Sequence, residues 1–220
     1  TGITYVDVEV EPHLVGAFCP GAPRADSTIY LSRLEELANA IHAYGTKIAI
    51  QLTAGRGRIA PAADAKAGRA VAPSAIPCFW SPDAKTRELR VEEIETLIKD
   101  FGITAGIVKS AGIDAIELHG HEGYLMDEFT TSLWNKRTDK YGGDFEGRLR
   151  FPLEIIKSIR SEAGPDFPII YKFGANHHLE GGREVQESCE IAKRLQQAGV
   201  DALEVDAGCY ETWYWAHPPT

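Results

Sequence analysis

The sequence predicts a parallel α/β fold, and three observations carry that prediction. A helical stretch ends at glycine and passes into a short apolar strand at four places along the 220 residues. The segments between those strands show the 3–4 apolar spacing of amphipathic helices. Two of the joints nearly repeat each other, AGIDAIEL at 111–118 against AGVDALEV at 198–205. Glycine supplies the left-handed conformation that closes a helix C-terminus, so each joint reads as a helix stop followed by a strand start.

Taken in order, the β-branched run ITYVDVEV at 3–10 is the first expected strand. A helix over 31–44 stops at Gly45 before the strand at 47–52. Val91, Ile94, Ile98, Phe101, Ala105 and Val108 then form one apolar stripe, which predicts a helix over 91–111 ahead of the strand at 114–118. Helices over 146–163 and 184–198 lead into strands at 168–173 and 201–205. Strands alternating with helices imply parallel pairing through right-handed crossovers. Gly55, Gly57 and Ala60 imitate a dinucleotide-binding spacing, but no amphipathic helix follows, so the segment reads as a loop. A closed (β/α)₈ barrel takes eight strands, so five leave three βα units unaccounted for; a doubly wound open sheet is the alternative.

Composition narrows the function. A hydrophobic content of 44% supports a sizeable core in a single domain over 1–220. Acidic residues outnumber basic ones 32 to 23, and the net charge of −9 argues against nucleic acid as a partner. Cys19, Cys78, Cys189 and Cys209 are far apart and form no CxxC pair, which argues against a disulfide framework, a zinc knuckle or an iron–sulfur cluster within this stretch and points to a reducing, cytoplasmic compartment. No apolar run approaches the ~20 residues that cross a bilayer, so no membrane role is expected. An opening at Thr1-Gly2 without methionine and an end at His217-Pro218-Pro219-Thr220 read as cuts through a larger protein, with an oligomer possible.

Reactive groups in parallel α/β folds gather where strands end. There the sequence offers Gln51, the run His119-Gly120-His121-Glu122-Gly123-Tyr124, Lys172 with His177-His178 beyond it, and Asp206. Read singly, Gln51 is a loop hydrogen-bonder, Tyr124 a packing residue and Lys172 a solvated charge. The charge mixture at 135–150 reads as loop ion pairs. His119, His121 and Glu122 also admit a metal-dependent amidohydrolase, since alternate strand residues share a face, although Gly120 and Gly123 favour a turn. An inert structural fragment is the third reading.

The stretches LHGHEGYLMDEF at 118–129 and NKRTDKYGGDFEGRLRF at 135–151 resemble the signature of the Old Yellow Enzyme family. The likeness extends to HAYGTKIAIQL at 42–52, APSAIP at 72–77 and EGGREVQESCEIAKRLQQAGVDALEVDAG at 180–208. It points to the bacterial branch of 2-enoate, dienoyl-CoA and steroid-enone reductases. The resemblance implies strands two to six of an incomplete (β/α)₈ TIM barrel. It also implies FMN reduced by NAD(P)H, with hydride passed to the β-carbon of an activated alkene (enoate, enoyl-CoA or enone). Tyr124 matches the proton donor to the α-carbon, and His119 the donor to the substrate's carbonyl oxygen. Gln51 matches the residue on the flavin's pyrimidine edge, and Val8 falls among the cofactor contacts. Lys172 stands where the family usually has arginine, losing a planar fork but keeping a cation near the flavin N1–C2 oxygen. Glu122 replaces a second substrate-binding His or Asn. It is either protonated, relieved by His121 as donor, or present to orient another residue. An iron–sulfur cluster and FAD are expected only in downstream segments. The phosphate loops after strands seven and eight also lie outside 1–220, so tight FMN retention by this stretch alone is not expected.

Overall fold

The computed structural model of the chain describes residues 3–6 and 24–217. Five strands form one sheet in the order β1 (Ile3–Tyr5), β2 (Ala49–Thr53), β7 (Ala115–Gly120), β8 (Ile169–Gly174) and β9 (Ala202–Asp206). Every neighbouring pair is parallel. The helices between them are α1 (Leu31–His42), α3 (Val91–Ser110), α5 (Phe145–Ala163) and α6 (Val185–Gln197). These match the expected elements, with ends shifted by at most two residues except where strand β1 stops at Tyr5. The rest of the 3–10 run, Val8 included, lies outside the described residues.

Of the expected stripe of α3, Ile94, Phe101, Ala105 and Val108 enter the main core together with Leu97, while Val91 and Ile98 pack against it half-buried. Burying one such large apolar side chain is worth roughly 1.5–3 kcal/mol. Ile155, Ile156 and Ile159 of α5 and the strand residues Ile50, Leu52, Ile116, Leu118 and Ile169 complete that core. Helix α5 starts where the Asp144 side chain accepts the Gly147 N–H at 2.8 Å.

The repeated joints behave alike. Gly112 and Gly199 take φ of 78° and 101°, and each is followed two residues later by an aspartate. Asp114 accepts the Ile48 N–H on its side chain at 3.0 Å and returns its own N–H to the Ile48 carbonyl at 3.0 Å. Asp201 does the same to Ile169, at 2.8 Å in both bonds. Each aspartate thus ties the start of its strand to the neighbouring one.

The segment 54–90 corrects the loop expectation. It holds the five-residue helix α2 (Ala62–Lys66), and a hairpin of β4 (Pro77–Cys78) and β5 (Ser81–Lys85). A parallel pair of β3 (Val71–Ala72) and β6 (Arg87–Glu88) closes it. Its alanines Ala60, Ala65 and Ala70 pack with Cys78 as a small second core, so small side chains fold it where no amphipathic stripe could. The segment 135–150 does form ion pairs, among them Arg137 with Asp139 and Arg148 with Glu187 at 2.5 Å each. Arg137 also donates to the carbonyls of Pro73 and Leu89, pinning this segment to the 54–90 excursion.

Candidate active site

Strand β7 runs further than expected, to Gly120, so His119 belongs to the strand itself rather than to the loop after it. The register sets His119 beside Lys172 of β8, and Lys172 beside Glu204 of β9. One step earlier Gln51 of β2 lies beside Glu117. Alternation along β7 then puts Glu117 and His119 on one face, with Gln51 and Lys172 alongside them.

Burial pushes the Glu117 carboxyl up, and its hydrogen bond to Glu204 adds to the rise. Glu204 is held down by that hydrogen bond and by Lys172, whose Nζ stands 2.7 Å from Glu204 Oε1. Glu117 is therefore the proton donor of the pair. Burial opposes the charge on Lys172, but Glu204 outweighs it and the lysine stays cationic.

His119 is 3% exposed, and burial, with the neighbouring His121 and Lys172, drives its pKa well below the usual value. It is a neutral imidazole. Thr53 Oγ1 accepts the Gly55 N–H at 3.1 Å and lies 3.4 Å from His119 Nδ1. In the tautomer in which the threonine hydroxyl donates to Nδ1, Nε2–H is the donor left to the ring.

Tyr124 caps the N-terminus of α4 (Leu125–Thr130) in extended backbone, and its ring lies 4.4 Å from that of His119. Burial raises the Tyr124 phenol far above its ordinary range, so it is protonated at every physiological pH. Its hydroxyl is 2.6 Å from that of Tyr210. The turn before it is fixed from below, because the Gly123 N–H donates to Asp127 Oδ2 at 2.8 Å. Asp127 has no exposed surface, pairs with Arg183, and lies 3.2 Å from His177 Nε2. Burial opposes ionisation of Asp127, yet Arg183 and His177 hold its carboxyl well below the usual carboxylate range.

Glu122 takes φ of 55°, and its Oε1 lies 3.1 Å from His217 Nε2 and 3.9 Å from His121 Nδ1. His121 Nδ1 in turn meets Asp206 Oδ2 at 2.5 Å. His121, Glu122 and Asp206 bring one ligand atom each within 4.8 Å of one another. Asp206, not His119, completes this cluster, which departs from the amidohydrolase set of His119, His121 and Glu122. Beyond β8, His177 is buried in the Asp127 clamp, while His178 stacks on Trp215.

Several residues here escape single-sequence reading: Thr53, Glu117, Glu204, Asp127 and Arg183, and Tyr210. Buried Arg56 is another; its charge acts on His119, Tyr124 and Tyr210. One signal was present. The near-repeat places Glu117 and Glu204 at equivalent positions, and alternation carries them onto the face of His119 and Asp206.

The sheet gathers an imidazole, a phenol, an amide and a lysine at its C-terminal end, where parallel α/β barrel enzymes carry their active sites. The chain belongs to the NADH:flavin oxidoreductase / NADH oxidase family, whose profile matches residues 9–218. It is 40% identical over 235 residues to a cinnamate reductase of Clostridium sporogenes, covering 100% of this chain and 35% of that protein. Identity to an NADH oxidase of Thermoanaerobacter brockii is 44% over 189 residues, covering 86% and 29%. Among solved structures, a 2-naphthoyl-CoA reductase in complex with 2-naphthoyl-CoA superimposes with a TM-score of 0.79 at 30% identity, over 95% of this chain and 32% of that one. Morphinone reductase in complex with tetrahydroNAD gives a TM-score of 0.75 at 25% identity, over 92% and 59%. An old yellow enzyme homologue from Zymomonas mobilis shares the fold, with a TM-score of 0.76 at 24% identity over 99% of this chain and 66% of that one, and the sheet corresponds to part of such a (β/α)₈ barrel. The chain spans about a third of the length of the first curated relatives it matches.

Proposed function

We propose that this chain carries the reducing site of an FMN-dependent ene-reductase, which takes hydride from NAD(P)H and delivers it to the β-carbon of an activated alkene. The observation that carries the reading is the contact of Tyr124 with His119 at the end of β7, in a chain of this family. The donor set suits a flavin's pyrimidine edge. Gln51 both donates and accepts, Lys172 brings a cation, and Glu117 Oε1 is buried without a hydrogen-bond partner among the described residues. FMN, when bound, supplies the hydride chemistry.

The chain's own residues do the rest. His119 donates from Nε2 to the carbonyl or carboxyl oxygen of the substrate, where negative charge grows as hydride arrives. A neutral imidazole is suited to this role, since it binds the developing charge without surrendering a proton to it. Tyr124 holds the proton for the α-carbon. Glu122 orients His121 and His217 rather than binding a substrate anion, consistent with its contacts to both. Lys172 and Gln51 bind and polarise the flavin edge, and Val8 is assigned to the cofactor from sequence alone.

The substrate is a small enoate, enoyl-CoA or enone, with neither nucleic acid nor a membrane as partner. No described helix is long and apolar enough to cross a bilayer. The cytoplasm is the assigned compartment, supported by the cysteines Cys78, Cys189 and Cys209, which are free among the described residues. An iron–sulfur cluster and FAD belong to the proposal only for segments after residue 220.

Tyr124→Phe tests it in the FMN-loaded enzyme. Stopped-flow traces should show alkene reduction slowed by ~10²–10⁴-fold with flavin reduction by NAD(P)H unchanged. Equal slowing of the two half-reactions would remove Tyr124 from the proton-donor role.

A further inference from the structure

The geometry points to Tyr210 as a positioning and relay residue that replaces the proton Tyr124 gives up. The inference rests on the ene-reductase reading and extends it to a residue in another loop. Among the described residues the Tyr124 hydroxyl has one hydrogen-bond partner, the Tyr210 hydroxyl at 2.6 Å. The two rings meet edge to face, with centroids 5.6 Å apart and planes at 87°. When Tyr124 directs its O–H at the substrate α-carbon, its oxygen can only accept, so Tyr210 must be the donor in the reactive arrangement.

Tyr210 is held for this task. It opens a single 3₁₀ turn after β9, in which the Cys209 N–H donates to Thr212 Oγ1 at 2.9 Å and Thr212 Oγ1 donates to the His177 carbonyl at 2.7 Å. Phe79, Trp80 and Trp213 surround its ring at centroid distances of 5.3, 5.9 and 5.1 Å. Glu211, the next residue, is paired with buried Arg58. Tyr124 is 8% exposed, whereas Tyr210 is only half-buried and so is the member of the pair closer to water.

The proton count closes. Hydride forms the new bond at the β-carbon, and the alkene electron pair takes the Tyr124 proton to form the α-carbon–hydrogen bond. As the Tyr124 O–H breaks, the Tyr210 proton moves to Tyr124 Oη, and Tyr210 recovers a proton from solvent. The negative charge rests on the more open oxygen instead of the buried one, where ionisation costs less.

Tyr210→Phe keeps the ring and removes only the hydroxyl. In the FMN-loaded enzyme it should slow alkene reduction by roughly 10- to 100-fold, the range of a hydrogen bond to a charged group. Flavin reduction by NAD(P)H should hold its wild-type rate. The dependence of alkene reduction on deuterium content should change from curved, with two protons moving, to linear, with one. Tyr210→His, which restores a ring donor, should recover part of the rate and the curvature. It also serves as the test should the phenylalanine variant fail to fold. A wild-type rate in Tyr210→Phe, or a linear dependence already in the wild type, would overturn the relay. A Tyr124→Phe enzyme that reduces alkenes normally would instead overturn the ene-reductase reading beneath it.

Discussion

At 111–118 and 198–205 the same eight-residue pattern enters the sheet twice, and the two copies are alike at one end and different at the other. At the N-terminal end of the strands, Asp114 and Asp201 make the same pair of bonds to Ile48 and Ile169. At the C-terminal end, one copy continues into His119, Gly120 and His121, and the other into Asp206, Ala207 and Gly208. The end that repeats ties strands together; the end that diverges gathers groups with different acid–base properties. A parallel α/β sheet divides its labour in this way because its loops at one end can change without disturbing the strand starts at the other.

The sharpest separation should come from His119→Ala in the FMN-loaded enzyme. Loss of one preorganised donor to a growing oxyanion typically costs ~10²–10³-fold, and single-turnover alkene reduction should fall by that much. Truncating a buried ring also lowers the urea midpoint; a rate that stays near wild type in the folded variant would make His119 a packing residue.

Asp114→Ala should spare the rate. Partial burial opposes its charge, yet the hydrogen bonds of Lys47, His42 and the Ile48 N–H hold the Asp114 carboxyl well below the usual range. Removing it should lower unfolding stability by about 1–3 kcal/mol. The kcat/KM for alkene reduction should stay within about twofold of wild type, an effect of under ~0.5 kcal/mol on the barrier. A large kinetic defect would erase the distinction between the two ends.

pH gives a third comparison. The folded pKa of His119 is depressed by burial, His121, Lys172 and Arg56, with Asp127 acting the other way. Only the unfolded chain takes up the proton as pH falls below ~6.5, so stability is full above that value and declines beneath it. The slope approaches 1.4 kcal/mol per pH unit, roughly, until the folded imidazole titrates. Urea midpoints at a pH above and one below that value should draw closer together in His119→Gln. An unchanged gap would show that His119 is not the group responsible.

The smallest effect is expected for Asp201→Ala, about 0.5–1 kcal/mol, because this carboxylate is 54% exposed and less of its hydrogen bonding is shielded from water. A larger loss than for Asp114→Ala would mean that exposure does not rank the two clamps.

The parts of the molecule written in local pattern were legible in the sequence. Glycine stops, strand starts and the α3 stripe are each decided within a few residues, and each folds where expected. His119 and Tyr124 were reached because they lie five positions apart in one unusual run. Residues whose meaning comes from distant partners were not legible. Tyr210 meets Tyr124 across 86 positions, and Asp127 meets Arg183 across 56. The excursion at 54–90 was read as a loop since alanines packed on one cysteine give no periodic signal.

Asp127 has one more consequence, for how often the site opens. The acceptor of the Gly123 N–H is a carboxylate with no exposed surface, locked by Arg183 and His177. Solvent deuterium can reach that amide only when the whole clamp lets go. The turn that aims Tyr124 therefore belongs to the slow-exchanging part of the protein, and its local opening free energy should approach that of global unfolding.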